Sequence, residues 1–196
     1  MAKMPLLVSA LLTMSMAANA GFETKPDIHG DLVVFTCEGD LWLGNLTDRS
    51  ARRITSDEGV ETNARFSPDG KQIAYTAYYD GAKDVYVMDV DGGPPKRLTY
   101  DPTGADVLAW TPDGKNVVFR STRFDFNQRL WTAPVDGGPA KQIPVPRGYF
   151  AAYSSKGDLA YVPVSFEWAN WYRYKGGGAD DIWLYQSQSK AFTQLT

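Results

Sequence analysis

Apolar and polar residues alternate in short runs along most of this chain, and the runs come back on a fixed period. "TNARF", "QIAYTAYY", "DVYVMDV" and "PKRLT" are each rich in β-branched or aromatic residues and bounded by Gly, Pro, Asp or Asn. Such runs predict strands, with alternate side chains on opposite faces. No segment sustains a helical period, so the reading is all-β. The stretch "DVYVMDVDGGPPKRLT", Asp84 to Thr99, has a close relative, "RLWTAPVDGGPAKQI", that begins at Arg129.

Three landmarks give the same period. "SPDGK" at Ser67 to Lys71 returns as "TPDGK" at Thr111 to Lys115, 44 residues on, and as the worn copy "SSKGD" from Ser154, 43 further. Trp42, Tyr86, Trp131 and Trp183 recur within short apolar runs at spacings of 44, 45 and 52. The closing "RIT" at Arg53 to Thr55 becomes "RLT" at Arg97 to Thr99, then "KQI" from Lys141, then "QLT" at Gln194 to Thr196. Asp69-Gly70, Asp113-Gly114 and the two "DGG" copies supply the left-handed positions of tight hairpins, with Pro68 and Pro112 preset for the preceding turn position. Four strands per period of about 44 residues predict β-propeller blades, about 21–58, 59–102, 103–146 and 147–196, the last with an insertion of about eight residues. One blade cannot bury both faces alone, so the recurring aromatics are expected between neighbouring blades. Four blades in an open arc would leave two apolar end faces. The last residue, Thr196, also closes a repeat, which reads as truncation at a blade boundary.

The first 20 residues break the pattern. Lys3, the apolar stretch from Leu6 to Ala18 and the small-residue site Ala18-Asn19-Ala20 predict a secretory signal peptide, 1–20. The apolar run is shorter than the roughly 20 residues that span a bilayer. Export, in a bacterium to the periplasm, is the expectation, with no membrane association after cleavage. Removal of that segment leaves 19 basic against 23 acidic residues, a formal charge of −4. Without a basic run, nucleic acid is not an expected partner.

Candidate chemistry is sparse. Cys37 is the only cysteine, so no internal disulfide can form, and its place in "LVVFTC" predicts a small buried hydrophobe. His29, the only histidine, stands in "PDIHGD", at the turn where later repeats carry "SPDG". No Gly-x-Ser-x-Gly occurs, and one His with one Cys cannot assemble a usual zinc site. Asp89-x-Asp91 and Asp180-Asp181 are too few for an EF-type calcium loop. No catalytic residue, cofactor site or metal site is therefore assigned. One stretch departs from the repeat: "SFEWANWYRYKGGGADD", Ser165 to Asp181, replaces the short connections "YYDGAK" and "RFDFNQ". Trp168, Trp171, Tyr172, Arg173, Tyr174 and Lys175 are the candidate contacts for a partner domain or peptide. The other reading is a loop folded back over a blade edge.

"PDIHGDLVVFTCEGDLW" at Pro26 to Trp42, "NARFSPDGKQIA" at Asn63 to Ala74, "RLTY" at Arg97 to Tyr100 and "NWYRYKGGGADDIW" at Asn170 to Trp183 resemble the N-terminal region of the tricorn protease family. The "SPDGK" and "DGG" signals are shared with TolB and other propellers; the "PDIHGD" opening and the aromatic-Tyr-x-Gly-Gly insertion are more specific. The resemblance implies a six-bladed ring of which this chain supplies four blades. It also implies a second propeller, a PDZ domain and a serine-peptidase core downstream, in a large homo-oligomer that trims oligopeptides. Its catalytic residues belong to that downstream part, and none falls on this chain. The resemblance has two departures. Archaeal members carry a basic pair in the loop between the second and third blades, thought to hold the substrate's C-terminal carboxylate, where this chain has "YDPTGADV"; and they act in the cytoplasm.

Two functional readings follow. The first is a non-catalytic access and assembly module of an exported tricorn-like serine peptidase, its partners being peptides or the enzyme's own downstream domains. The second is a TolB-like propeller acting as a protein-interaction scaffold. A weaker third is a propeller that binds sugars or peptides by itself.

Overall fold

The computed structural model describes residues 23–165 and 181–196. Among the described residues sixteen strands make four separate antiparallel meanders. Blade 1 holds β1 (Thr24–His29), β2 (Leu32–Cys37), β3 (Asp40–Asn45) and β4 (Ser50–Arg53). Blade 2 holds β5 (Glu61–Phe66), β6 (Gln72–Ala77), β7 (Asp84–Asp89) and β8 (Lys96–Arg97). Blade 3 holds β9 (Asp106–Trp110), β10 (Asn116–Ser121), β11 (Arg129–Pro134) and β12 (Lys141–Gln142). Blade 4 holds β13 (Phe150–Tyr153), β14 (Leu159–Val162), β15 (Trp183–Gln186) and β16 (Ala191–Gln194). The described residues contain no helix, and the fold is the all-β propeller that the repeat predicts. The first strands of consecutive blades, β1, β5, β9 and β13, lie side by side.

The turns form for local reasons. In "SPDGK" the Ser67 hydroxyl donates to Asp69 at 2.6 Å, and Gly70, at φ +71°, returns its N–H to the Ser67 carbonyl at 2.9 Å. "TPDGK" repeats both bonds, from the Thr111 hydroxyl to Asp113 at 2.6 Å and from Gly114 N–H to Thr111 at 2.9 Å. His29 ends β1 with its ring against Gly70, so that a Cβ there would collide with the imidazole. The histidine is thus a packing residue between the turns of blades 1 and 2.

The core is three seams. Val34, Leu41 and Leu43 of blade 1 meet Phe66, Ile73, Tyr75, Tyr86 and Met88 of blade 2. Val85, Val87 and Leu98 then meet Val107, Trp110, Val117 and Phe119, and Val118, Leu130 and Ile143 meet Leu159, Tyr161 and Tyr185. Tyr86, Trp131 and Trp183 join these seams as expected. Trp42 differs. Leu41 and Leu43 point to blade 2, so alternation turns Trp42 to the other face of blade 1, where it is only half-buried and no described blade covers it. Val33, Phe35 and Leu46 line an apolar hollow of about 400 Å³ on the same blade. Cys37 also differs from expectation. It is half-exposed at the end of β2, because the Glu38-Gly39 turn follows it directly.

The closing threonine of the first, second and fourth repeats has a physical role. Leu41 N–H donates to Thr55 Oγ1 at 2.8 Å, Val85 N–H to Thr99 Oγ1 at 2.9 Å, and Ile182 N–H to Thr196 Oγ1 at 2.9 Å. Arg53, Arg97 and Gln194 donate to the carbonyls of the same threonines at 2.7, 2.9 and 2.7 Å. Strand register puts Gln142 opposite Trp131, as Arg53 is opposite Trp42, so the third copy is Gln142-Ile143-Pro144, one residue later than the "KQI" alignment. With Pro144 at the threonine position, blade 3 has no such clasp. Arg129 is instead held by Asp125 at 2.5 Å.

Candidate functional site

Antiparallel meanders send successive connections to opposite ends. With an even number of strands per blade, every blade presents the same class of connection at the same end. One end carries the tight Asp, Gly and Lys turns. The other carries the β2–β3, β6–β7, β10–β11 and β14–β15 loops and all the links between blades. On that loop-bearing end Val60, Tyr78, Tyr100, Phe124 and Phe126 are exposed. Two of the rings are backed by guanidinium groups: Arg97 lies 4.7 Å from the Tyr100 centroid and Arg129 5.8 Å from that of Phe124. One ring face is thereby fixed by a cation–π contact, and the rest of each ring stays open to solvent.

A polar hollow of about 360 Å³ opens at this end between blades 2 and 3, lined by Tyr78, Lys83, Thr103, Asp106, Arg120 and Ser121 among others. Asp106 organises it. One oxygen accepts from Lys83 Nζ at 3.1 Å and Asn63 Nδ2 at 3.5 Å, the other from Arg120 Nε at 3.3 Å. Arg120 also donates to the Tyr149 carbonyl of the next link at 3.1 Å and lies 4.0 Å over the Tyr149 ring. The loop "YDPTGADV" has no cation of its own, yet three neighbours bring cations to it. Lys83 and Arg120 hold Asp106, and Arg123 approaches Asp101 at 3.9 Å. Lys83 and Arg120 share Asp106 while Arg123 faces Asp101, so each of these three cations is already engaged by one of two carboxylates.

Arg123 is about as enclosed as Arg120, with the Phe119 and Trp131 rings at 4.8 and 5.2 Å. Burial pushes its pKa down, against the pull of Asp101 and Asp84. Arg123 Nη2, Gln128 Oε1 and Trp131 Nε1 are buried without a hydrogen-bond partner in this corner. Sequence reading missed the whole cluster, since β5, β9, β10 and two loops each contribute a residue and no local motif marks them.

The predicted contacts Trp168, Trp171, Tyr172, Arg173, Tyr174 and Lys175 lie outside the described residues. Their loop is the β14–β15 connection and so leaves from the loop-bearing end. There Pro146, Arg147, Tyr161, Pro163, Trp183 and Phe192 line a mainly apolar hollow of about 330 Å³. Among the described residues no group of three His, Cys, Asp or Glu side chains could hold a metal ion, and no helix is long and apolar enough to cross a membrane.

The model of the tricorn protease N-terminal β-propeller domain matches residues 20–196. The chain belongs to the tricorn protease family. Tricorn protease homolog 1 of Streptomyces coelicolor is 36% identical over 181 residues, covering 87% of this chain and 16% of that protein. A crystal structure of the tricorn protease superposes with a TM-score of 0.74 at 29% identity, over 88% of this chain and 18% of the other. TolB from Acinetobacter baumannii gives 0.70 at 23% identity, over 89% and 43%; that likeness is one of fold alone. The chain thus spans about a sixth of the length of the curated relatives it matches first.

Proposed function

We propose that this chain is a non-catalytic propeller module of a tricorn-like serine peptidase that processes oligopeptides, and that it shapes substrate access and assembly. The observation that carries the reading is the division of labour between its two ends. Tight polar turns close one, while exposed rings and the polar hollow share the other. A surface of aromatic and arginine side chains on a rigid scaffold is suited to contacts with peptides or with neighbouring domains. Among the described residues the single histidine packs on Gly70 and is not hydrogen-bonded to a serine, which fits a reading in which hydrolysis belongs to another part of the assembly. The half-exposed face of blade 1 around Phe35 and Trp42 is the surface on which a further blade of a six-bladed ring would pack. The N-terminal segment directs export, to the periplasm in a bacterium, and the full-length protein assembles as a homo-oligomer.

The alternative, a TolB-like interaction scaffold, fits the same face but needs no peptidase. The intact mass of the native protein, read from cell extract with an antibody to this region, separates the two. A species several times larger than 21.7 kDa is expected. A species at or below that mass, free of any peptidase subunit, overturns the proposal.

A further inference from the structure

One backbone bond recurs at every seam. Glu61 N–H donates to the Gly39 carbonyl at 2.7 Å, Ala105 N–H to Lys83 at 2.8 Å, and Gly148 N–H to Gln128 at 3.0 Å. The residues at this repeated position are glutamate, alanine and glycine. At the third seam there is not even room for a methyl group, because a Cβ on Gly148 would collide with the Leu130 side chain. The repeat therefore asks for a small residue, and of the three residues at this position only Glu61 encloses a carboxyl group, at 0% exposure.

Glu61 belongs to β5 of blade 2, but much of its polar bonding goes to blade 1. Its N–H reaches Gly39, its carbonyl accepts the Thr36 hydroxyl at 3.1 Å, and Oε2 accepts the Thr55 hydroxyl at 2.9 Å. Thr55 is the same residue that closes blade 1 through Leu41 N–H. Oε1 and the hydroxyls of Tyr75 and Tyr79 are buried with no partner in hydrogen-bond geometry. The titratable and charged groups around the carboxyl are Tyr79 of the β6–β7 loop, Tyr75 of β6, Asp40 of β3 and Asp57 of the β4–β5 link. The nearby cation Arg53 is engaged by Asp40 at 2.7 Å and by the Thr55 carbonyl. No ion pair with Glu61 forms among the described residues.

We propose that Glu61 is held as a neutral carboxylic acid at the seam between blades 1 and 2, and that its ionisation loosens that seam as pH rises. A buried carboxylate with no cation is costly, and the group avoids the cost by keeping its proton. Burial is the leading cause of its raised pKa. The Thr55 hydroxyl, and the nearby Tyr79 hydroxyl although it is out of hydrogen-bond geometry, oppose it, and the Asp40 and Asp57 charges add to it. The folded value thus lies above the ordinary 4.5 of the unfolded chain. The contribution of Glu61 to stability is fully present below 4.5 and is lost as pH rises through the folded value. Each unit between the two values weakens the folding equilibrium about tenfold at high pH. The sister seams, with Ala105 and Gly148, carry no such group.

The test compares amide hydrogen exchange at Glu61 and Ala105 in the intact protein between about pH 4 and 8, together with thermal unfolding of wild type and Glu61→Gln. The protection of the Glu61 amide is expected to fall relative to that of Ala105 as pH rises, once the common base catalysis is divided out. Glu61→Gln should flatten that trend and gain stability relative to wild type towards high pH. If the two amides keep a constant protection ratio in the wild type, the proposal is overturned, whether or not the variant folds.

Discussion

The Arg97 guanidinium meets the Asp84 carboxylate at 2.6 Å, and the other oxygen of that carboxylate takes the Thr99 hydroxyl at 2.7 Å. Asp84 is 2% exposed, so the pair, together with the Val85 N–H bond to Thr99, ties the outer end of β7 to the residues that close blade 2. Thr99→Val removes the hydroxyl while keeping its shape. It leaves both a buried carboxylate oxygen and a backbone N–H short of a partner, and it should cost about 1–3 kcal/mol in the denaturant unfolding midpoint. Arg97→Met strands the carboxylate itself and should cost more, about 3 kcal/mol.

Asp106 gives a contrast between an enclosed and an exposed cation. Its side chain is 16% exposed and that of Arg120 13%, whereas that of Lys83 is 51% exposed. Asp106→Ala leaves Arg120 without its carboxylate and should cost about 3–5 kcal/mol. Lys83→Met should cost under about 1 kcal/mol, and that loss should shrink further in high salt. Thermal unfolding at two ionic strengths measures both.

The period, the strand content and the SPDG turns were legible in the sequence because each rests on neighbours in the chain. Gly70 must take φ +71°, and the Ser67 hydroxyl is two residues from Asp69. The seams were legible as a class, since alternation sends Leu41 and Leu43 one way. That Trp42 faces outward depended on which side blade 2 occupies, which no local pattern states. Thr55, Thr99 and Thr196 stood in a visible motif, but their partners, the N–H groups of Leu41, Val85 and Ile182, lie 14 residues earlier. The Asp106 cluster was invisible for the same reason, with Asn63 coming from 43 positions away.

Gly148 is a packing constraint. Gly148→Ala drives a methyl group into Leu130 at the seam of blades 3 and 4 and should destabilise by about 1–3 kcal/mol. In a Leu130→Ala background the added methyl has room, so the two losses should be less than additive in a double-mutant cycle.

The turn aspartates set an acid limit. The Ser67 hydroxyl, then the Lys71 N–H, hold Asp69 below its ordinary 3.8; the Thr111 hydroxyl and Lys115 N–H do the same for Asp113. A lowered folded pKa means that the stabilisation is present above 3.8 and lost as pH falls through the folded value. Carboxyl carbon NMR titration should place both groups below 3.8 in wild type, and Ser67→Ala should return Asp69 towards it.

The aromatic insertion is open to a direct test. Trp168→Ala combined with Trp171→Ala should weaken oligopeptide binding by the intact protein, with the unfolding midpoint nearly unchanged, if the loop is a contact surface. A fall in stability with peptide binding retained would instead mark the loop as a cover for a blade edge.

The role proposed for this propeller is to serve a serine peptidase without carrying its catalysis. The most direct measurement is labelling of native material, captured from cell extract through this region, with a serine-reactive activity probe. A labelled species is expected in that material, with the label on a peptide outside residues 1–196. Label on a serine of this propeller, or captured material with no label and no oligopeptide hydrolysis, would contradict it.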